Sequence, residues 1–483
     1  MGLYELLDVF DDKLINWIEK NTKNLVDYWD IRAEIKSGNS LEFTNRKSKE
    51  ISSYELVECS IRALYEGKWG FYVLKDLNSN TIKQGMESAI KFCKVPSISI
   101  NNPFKINEVD SYNKKIRIKS KKKIIDVPIE EKINLLKEHE DIAFNYSKKV
   151  KNTKTTYIDK HVKKIFLNAF GSKIFQEMEF VRLFSTVFAA ENGVIQHSMN
   201  SVAGIGGFEI VETKKARAIS KKSAKEAIEL LGASSPVGGK FTVIMDPKLV
   251  GTFVHEAIGH SCEADLVLQK ESVLKGKIGE KIANESVTIS DNPILGQGTL
   301  FSLPYELYGS YVYDDEGIKS KKVDIIKEGI LINFLHNLET ASRMGTSPNG
   351  HGRASTAGSI PQVRMGFTYL EPQDWELEEI ISETKHGILC EDFQYGYTDT
   401  TTGNFQFKCR ISSLIENGEK TKLMRDVSLG GMSLEILNRI SAIGNKKTFN
   451  YSDGICGKGG QGVRVCSGGP FIRVEDVIIG GLN

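Results

Sequence analysis

The chain has 483 residues, of which 40% are hydrophobic, so it is long enough for two or three domains that each bury a core. Its 64 lysines and arginines nearly balance 62 aspartates and glutamates, and the net charge of +2 excludes the strong positive field typical of proteins that bind nucleic acid or anionic membranes. The amino terminus lacks a secretion-signal pattern and no apolar run reaches about 18 residues, so we expect a cytoplasmic protein without nucleic-acid or membrane partners.

The cysteines give no sign of a disulfide framework. There are seven, an odd number, and they are widely scattered without a Cys-x-x-Cys pair. Secreted domains held by disulfides instead carry an even number at short spacings. The sequence therefore predicts reduced thiols, most of them small core residues.

Residues 1–110 have the pattern of an α+β domain. Apolar residues at helical spacing predict a helix over Leu3–Ile18, and a second helical pattern covers 82–93. Between these helices, three strand-like runs predict an antiparallel meander: apolar and polar residues alternate over 29–35 and 57–63, and the run over 41–51 is more polar.

Residues 111–234 form a second α+β segment that we expect to pack with the first. Its basic run, Lys114–Lys123, has isoleucines at alternating positions, which favours a strand with one solvated face over a nucleic-acid surface. The elements predicted beyond this run are a helix over 129–142, strands over 165–175, 180–190 and 193–199, and a helix over 220–231.

Residues 235–483 are predicted to form a β-rich domain in which segments dense in Gly, Ser and Thr are loops around a site. The predicted elements are strands over 287–289, 322–327, 330–336, 405–415 and 472–479, and helices near 250 and over 374–386 and 432–443. The predicted fold class is thus α+β: an amino-terminal region with an antiparallel sheet and packed helices, then a β-rich domain that carries one chemically distinctive helix.

That helix begins after Met245. Asp246 is a good N-cap and Pro247 a good first helical residue. The helix then contains His255-Glu256-Ala257-Ile258-Gly259-His260, a variant of the His-Glu-x-x-His motif in which two imidazoles bind zinc and the glutamate is the general base. The motif is moderately specific, and a packed histidine pair without a metal is an equally good interpretation of this segment alone.

The spacing of five between the histidines constrains the backbone. In a regular α-helix the second imidazole would point roughly 140° away from the first, too far for both to reach one ion at about 2.0 to 2.1 Å. The helix must therefore widen locally, as in a π-bulge, or end between the two residues. Gly259 would make such a distortion cheap.

These residues resemble the TldD/PmbA family of metallopeptidases, and the resemblance spans most of the chain. The matching blocks are Phe253–His260, Glu263–Asp265, Gly279–Ala283, Asp314–Gly317 and Thr401–Phe407, with Asp30–Arg32 and Gly67–Phe71 in the amino-terminal half.

The resemblance implies a zinc ion (Zn2+) held by His255, His260 and Cys456, with Glu256 as the catalytic base. Two imidazoles and a thiolate leave one tetrahedral position open, as in catalytic rather than structural zinc sites. Without the resemblance, Cys456 would be an ordinary loop residue. Glu263 is the rival third ligand, but we expect it to orient an imidazole instead. His351, in a glycine-rich loop, is a candidate for the wall of the site.

The resemblance further implies a zinc-dependent peptidase that hydrolyses unfolded or small peptides, in peptide maturation or degradation. It also implies a dimer, either of identical chains or with a metal-less paralogue. Two other functions remain open: a non-catalytic peptide-binding or regulatory subunit, and a protein with a structural zinc, which would unfold on chelation. Departures from the family pattern at Arg364–Phe367 and Gln394–Tyr397 leave the substrate preference open.

Overall fold

The computed structural model of the protein describes residues 3–95, 103–294 and 305–480. In the amino-terminal half, seven strands form one sheet in the order β3-β2-β1-β5-β6-β4, and β7 pairs with the remaining length of β6. Neighbouring strands are antiparallel except β4 and β6. The strands are β1 Tyr28–Thr44, β2 Lys47–Tyr65, β3 Lys68–Leu74, β4 Asn113–Arg117, β5 Val150–Asn168, β6 Lys173–Glu191 and β7 Val194–Ile205.

Five helices pack on this sheet: α1 Leu3–Val9, α2 Asp12–Thr22, α3 Ser79–Cys93, α4 Ile129–Phe144 and α5 Lys214–Glu229. The first three cover one end, where Phe10, Ile18 and Met86 join the same buried cluster as Ile31 of β1. Helices α4 and α5 bury apolar residues against β6 and β7 in a second cluster. This arrangement confirms the predicted antiparallel sheet with packed helices.

Three sequence predictions here were wrong in their limits. The first helix is divided because Asp11 caps a new helix, accepting a hydrogen bond from the backbone N–H of Leu14 at 2.8 Å. The predicted strand over 41–51 is instead the hairpin of β1 and β2, which turns at Asn45 and Arg46 with φ of 50° and 65°. The predicted strand over 165–175 likewise spans the turn between β5 and β6. The basic run does form a largely exposed strand, β4.

The described residues of the carboxy-terminal half form two larger sheets and a two-stranded one. One sheet has the order β11-β10-β9-β14-β21-β20. In the other, β15, β8, β22, β18 and β16 close into a ring because β15 also pairs with β16. The strands are β8 Gly239–Met245, β9 Ile289–Asp291, β10 Val323–Lys327, β11 Ile330–Leu331, β12 Gly352–Arg353, β13 Gln362–Val363, β14 Phe367–Leu370, β15 His386–Asp399, β16 Asn404–Glu416, β17 Glu419–Met424, β18 Ser428–Met432, β19 Ile440–Ile443, β20 Asn450–Lys458, β21 Gln461–Gly469 and β22 Ile472–Gly480.

The helices of this half are short, and the largest buried apolar cluster surrounds the first of them. They are α6 Pro247–Phe253, α7 Ala264–Gln269, α8 Leu338–Arg343, α9 Leu377–Ser382 and α10 Ser433–Asn438. The prediction of a β-rich domain is confirmed. The predicted helix over 432–443 was wrong in its second half, which is strand β19, and the glycine-rich region of Cys456, predicted as a loop, is the hairpin of β20 and β21.

The amino-terminal sheet extends from Tyr28 to Ile205 and therefore crosses the predicted domain limit at residue 110. The limits at 110 and 234 stay predictions. Among the described residues, each helix is too short or too polar to cross a membrane.

Candidate metal centre

The histidine motif lies where helix α6 changes its winding. Asp246 accepts a hydrogen bond from the backbone N–H of Leu249 at 2.9 Å, which confirms the predicted N-cap. After Phe253 the chain continues as a π-helical turn over Val254–Gly259 and then a 3-10 turn over His260–Cys262. The wider turn brings the rings of His255 and His260 together, with centroids 5.2 Å apart. The predicted local widening is confirmed.

The reason predicted for Gly259 was wrong. Its backbone has ordinary helical angles, φ −57° and ψ −51°, so glycine's conformational freedom is not used there. A Cβ atom at this position would instead lie 2.0 Å from Sδ of Met365. Glycine at this position leaves room for that side chain, against which the turn packs directly.

Cys456 lies on strand β20, opposite Val463 of β21. The two strands are joined by Gly459 and Gly460, whose φ of 54° and 74° suit a two-residue hairpin turn. Helix α6 packs on this hairpin with no side chain between: a Cβ on Gly251 would lie only 2.5 Å from the backbone nitrogen of Gly468. This close backbone contact places the histidines beside the cysteine.

The three predicted metal ligands converge. The ligand atoms of His255, His260 and Cys456 all lie within 4.8 Å of one another. Sγ of Cys456 is 3.2 Å from Nε2 of His260, although the two residues are 196 positions apart in the chain. His255 and Cys456 are buried, with exposed fractions of 4% and 6%.

The charges at this cluster favour a thiolate. Burial alone raises the pKa of the Cys456 thiol, but the charges and hydrogen bonds of His255 and His260 outweigh it and lower that pKa to about 4. Burial conversely lowers the pKa of His260, but Glu263 and Cys456 raise that pKa well above its usual value. A thiolate is the form of cysteine that binds metals.

Glu263 is fully buried and holds the ring of His260. Its Oε2 lies 2.9 Å from Nδ1 of that histidine, so Nε2 is the nitrogen directed at Cys456. Lys458 donates to the same carboxylate oxygen at 2.9 Å and to Asp265 at 2.7 Å. Glu263 thus lies outside the group of three converging ligand atoms and contacts the ring nitrogen of His260 that faces away from Cys456.

The donor set fits zinc. Two imidazole nitrogens and one thiolate are ligands that zinc prefers, and three protein ligands leave room for a fourth. In addition, Nδ1 of His255 is buried without a hydrogen-bond partner among the described residues, which leaves one ring nitrogen of this histidine unsatisfied by the protein itself.

The ligands open onto a cleft of about 510 Å³, whose lining includes His255, Glu256 and Cys456. The side chain of Glu256 is 38% exposed there, and its Oε2 lies 3.8 Å from Nε2 of His260. His351 is not in this lining: it is fully buried, and its nitrogens contact Asn349 at 2.9 Å and Asp291 at 3.1 Å.

Sequence reasoning missed two residues that hold the cysteine hairpin. Lys458 lies two positions beyond Cys456 on the same strand face, a relation that becomes visible only once the segment is recognised as a strand. Arg364 is fully buried and donates to the carbonyl oxygens of Cys456, at 2.6 Å, and Gln461, at 3.1 Å. A lone buried arginine leaves no sequence pattern that would reveal it.

Three family models cover most of the chain. They are the PmbA/TldA metallopeptidase domain 1, over residues 29–92, the central domain, over 122–231, and the C-terminal domain, over 238–481. The similar proteins include a metalloprotease of Methanothermobacter thermautotrophicus, 35% identical over 98% of this chain and 99% of its own length. A zinc metalloprotease TldD homolog of Saccharolobus solfataricus is 29% identical over 97% of this chain and 100% of its own.

Solved structures share the fold. A proposed DNA gyrase modulator from Thermotoga maritima superposes with a TM-score of 0.76 at 22% identity, over 97% of this chain and 100% of that one. TldE from Thermococcus kodakarensis gives a TM-score of 0.71 at 18% identity, over 97% and 100% of the two chains. At these identities the likeness concerns the fold alone.

Proposed function

Since the chain belongs to the PmbA/TldD metallopeptidase family, we propose that it is a zinc-dependent peptidase in which His255, His260 and Cys456 hold the metal and Glu256 is the general base. The observation that carries the proposal is the convergence of these three ligand atoms within 4.8 Å at the wall of a cleft. The homologues named metalloproteases support the reaction class.

The roles of the protein groups follow from their positions. When bound, zinc would polarise a scissile carbonyl and make water more acidic. Glu256 is not one of the three clustered ligands and faces the cleft, so its carboxylate is free to take the proton of the attacking water and pass it to the leaving amine. Glu263 keeps Nε2 of His260 directed at the metal position by accepting a hydrogen bond from Nδ1–H.

We further propose that the substrates are unfolded or small peptides. Strand β7 pairs only with β6 among the described strands, and its residues 199–201 line the cleft. An extended peptide can add to such an edge through main-chain hydrogen bonds, which would give broad sequence tolerance.

The partner is proposed to be a second identical chain or a metal-less relative. That TldE of another organism has the same fold supports pairing between related chains. A cytoplasmic location is supported by the seven cysteines, all of which are buried and unpaired. Light scattering of the purified chain would test self-association.

The deciding experiment combines metal analysis with hydrolysis of an unfolded peptide by the wild type and Glu256→Gln. We expect about one zinc per chain in both proteins and a loss of at least about 100-fold in turnover in the variant. Near-normal turnover would remove Glu256 from the mechanism. A zinc-loaded wild type without hydrolysis, which unfolds when chelated, would support a structural zinc instead.

A further inference from the structure

The cleft beside the metal ligands has an excess of positive charge. Within the part of the chain that the structure describes, its lining has five basic residues and three acidic ones: Arg182, Lys215, Lys222, Lys248 and Arg410 against Glu256, Asp392 and Asp453. A cleft lined mostly by one sign of charge concentrates ligands of the opposite sign.

Some of these cations are already paired. Lys248 and Arg410 share Asp392, at 2.8 and 3.1 Å, and Lys222 lies 3.6 Å from Glu226 on the same helix. Because these three side chains are already neutralised by carboxylates of the protein, they are less available to a negatively charged ligand.

The other two cations, Lys215 and Arg182, lie close to Asp453, and Arg182 is at the limit of ion-pair distance from it. Lys215 is exposed to the cleft and makes neither a hydrogen bond nor an ion pair with any described residue; its ammonium is 5.2 Å from the ring of Tyr451. Nε of Arg182 is buried without a hydrogen-bond partner in the described chain, and so is Oδ2 of Asp453, 4.0 Å away. Lys215, Arg182 and Asp453 together thus have hydrogen-bond donors without acceptors and a net charge of one positive unit.

Lys215 also lies in an unfavourable place for a cation. It is in the first turn of α5, which contains no acidic residue, and the positive end of the helix dipole disfavours a lysine there. A negative group in the cleft would form an ion pair with Lys215 and would offset its repulsion by the helix dipole.

We propose that Lys215 and Arg182 form a subsite for a carboxylate of the substrate. The inference rests on the proposed peptidase function, since it takes the ligand to be a peptide. Asp453 is three residues before Cys456 on strand β20, a distance of about 10 Å along an extended strand. A peptide parallel to this strand would therefore place its carboxylate about three residues from the bond that is cleaved. Both a C-terminal carboxylate and a Glu or Asp side chain supply this chemistry.

The test measures peptide binding to full-length Glu256→Gln protein loaded with zinc, by fluorescence anisotropy. Three peptides share one sequence: neutral and C-terminally amidated, neutral with a free C-terminus, and amidated with one internal glutamate. We expect the free acid, the glutamate peptide or both to bind about tenfold more tightly than the neutral amide, and the preferred one identifies the source.

Variants then locate the subsite. Lys215→Met should abolish the preference while leaving the affinity for the neutral amide unchanged, and Lys215→Glu should reverse it. The control Lys225→Met, on the same helix but outside the cleft lining, should keep the preference. No preference in the parent protein, or a preference that survives Lys215→Met, would overturn the proposal. Because binding is read in Glu256→Gln without turnover, a preference there together with no hydrolysis by the wild type would refute only the proposed function.

Discussion

The contact between helix α6 and strand β21 predicts a strong effect from one added methyl group, in Gly251→Ala. The new Cβ would lie 2.5 Å from the backbone nitrogen of Gly468, 2.6 Å from the carbonyl carbon of Ser467 and 2.8 Å from Cα of Gly468. All three are backbone atoms of a strand within a sheet, so none can rotate away. To regain an ordinary contact the helix must retreat by roughly 1 Å.

The retreat has different consequences for stability and for the metal site. Overpacking costs about 1 to 3 kcal/mol, and the better helix propensity of alanine returns up to about 1 kcal/mol. His255, one helical turn further on, moves with the helix, whereas Cys456 stays with the sheet. Because zinc requires its ligands within about 2.0 to 2.3 Å, we expect zinc affinity to fall about 10- to 100-fold.

The assay is the zinc dissociation constant, measured by competition with a chromophoric chelator, together with the melting temperature of the metal-free protein. Gly457→Ala is the matched control: it lies beside Cys456, but an added Cβ there meets no atom within 4 Å. If Gly251→Ala binds zinc as tightly as the wild type, or Gly457→Ala loses as much affinity, the backbone contact does not position the ligands.

Three further predictions concern the same centre. Cys456→Ser should lose zinc, whereas Glu263→Gln should keep it with about 10- to 100-fold weaker affinity; metal contents in the opposite order would refute the assignment. Zinc affinity should rise between about pH 6 and pH 8, by about tenfold per pH unit for each proton that the metal displaces. The pKa of His260 is raised, so zinc must displace its proton, whereas Cys456, with a pKa of about 4, is already a thiolate. A pH-independent affinity, measured by the same chelator competition, would contradict this. Arg364→Met should destabilise the protein by about 2 to 4 kcal/mol in denaturant titrations, because the buried carbonyl of Cys456 and the part-buried carbonyl of Gln461 lose their donor. A change below about 0.5 kcal/mol would show that the arginine is dispensable.

Local patterns predicted the elements whose sequence has a clear period or a cap. The capped start of α6 and the strand β16 follow from residues close together in the chain. Limits failed where a tight turn lay inside a polar run, as at Asn45 and Arg46, because this hairpin turn contains neither a glycine nor a proline that would mark it in the sequence.

The distortion at the histidines was predictable for a different reason. Chemistry demanded that two imidazoles five positions apart meet, and a regular helix cannot bring them together. The π-helical turn over Val254–Gly259 is the solution that the structure adopts. Here a functional hypothesis predicted backbone geometry that propensity alone would not have suggested.

The position of Cys456 could not be predicted from local sequence. The helix that carries the histidines meets the strands of the Cys456 hairpin at a pair of glycines, Gly251 against Gly468. Glycine contributes nothing to apolar periodicity and is usually taken as a sign of a loop. The periodicity that identifies helices and strands therefore cannot predict the glycine contacts that assemble this centre. It follows that substitution of Gly251 or Gly468 should perturb the metal site more than substitution of Phe253, which packs against Phe405 of β16.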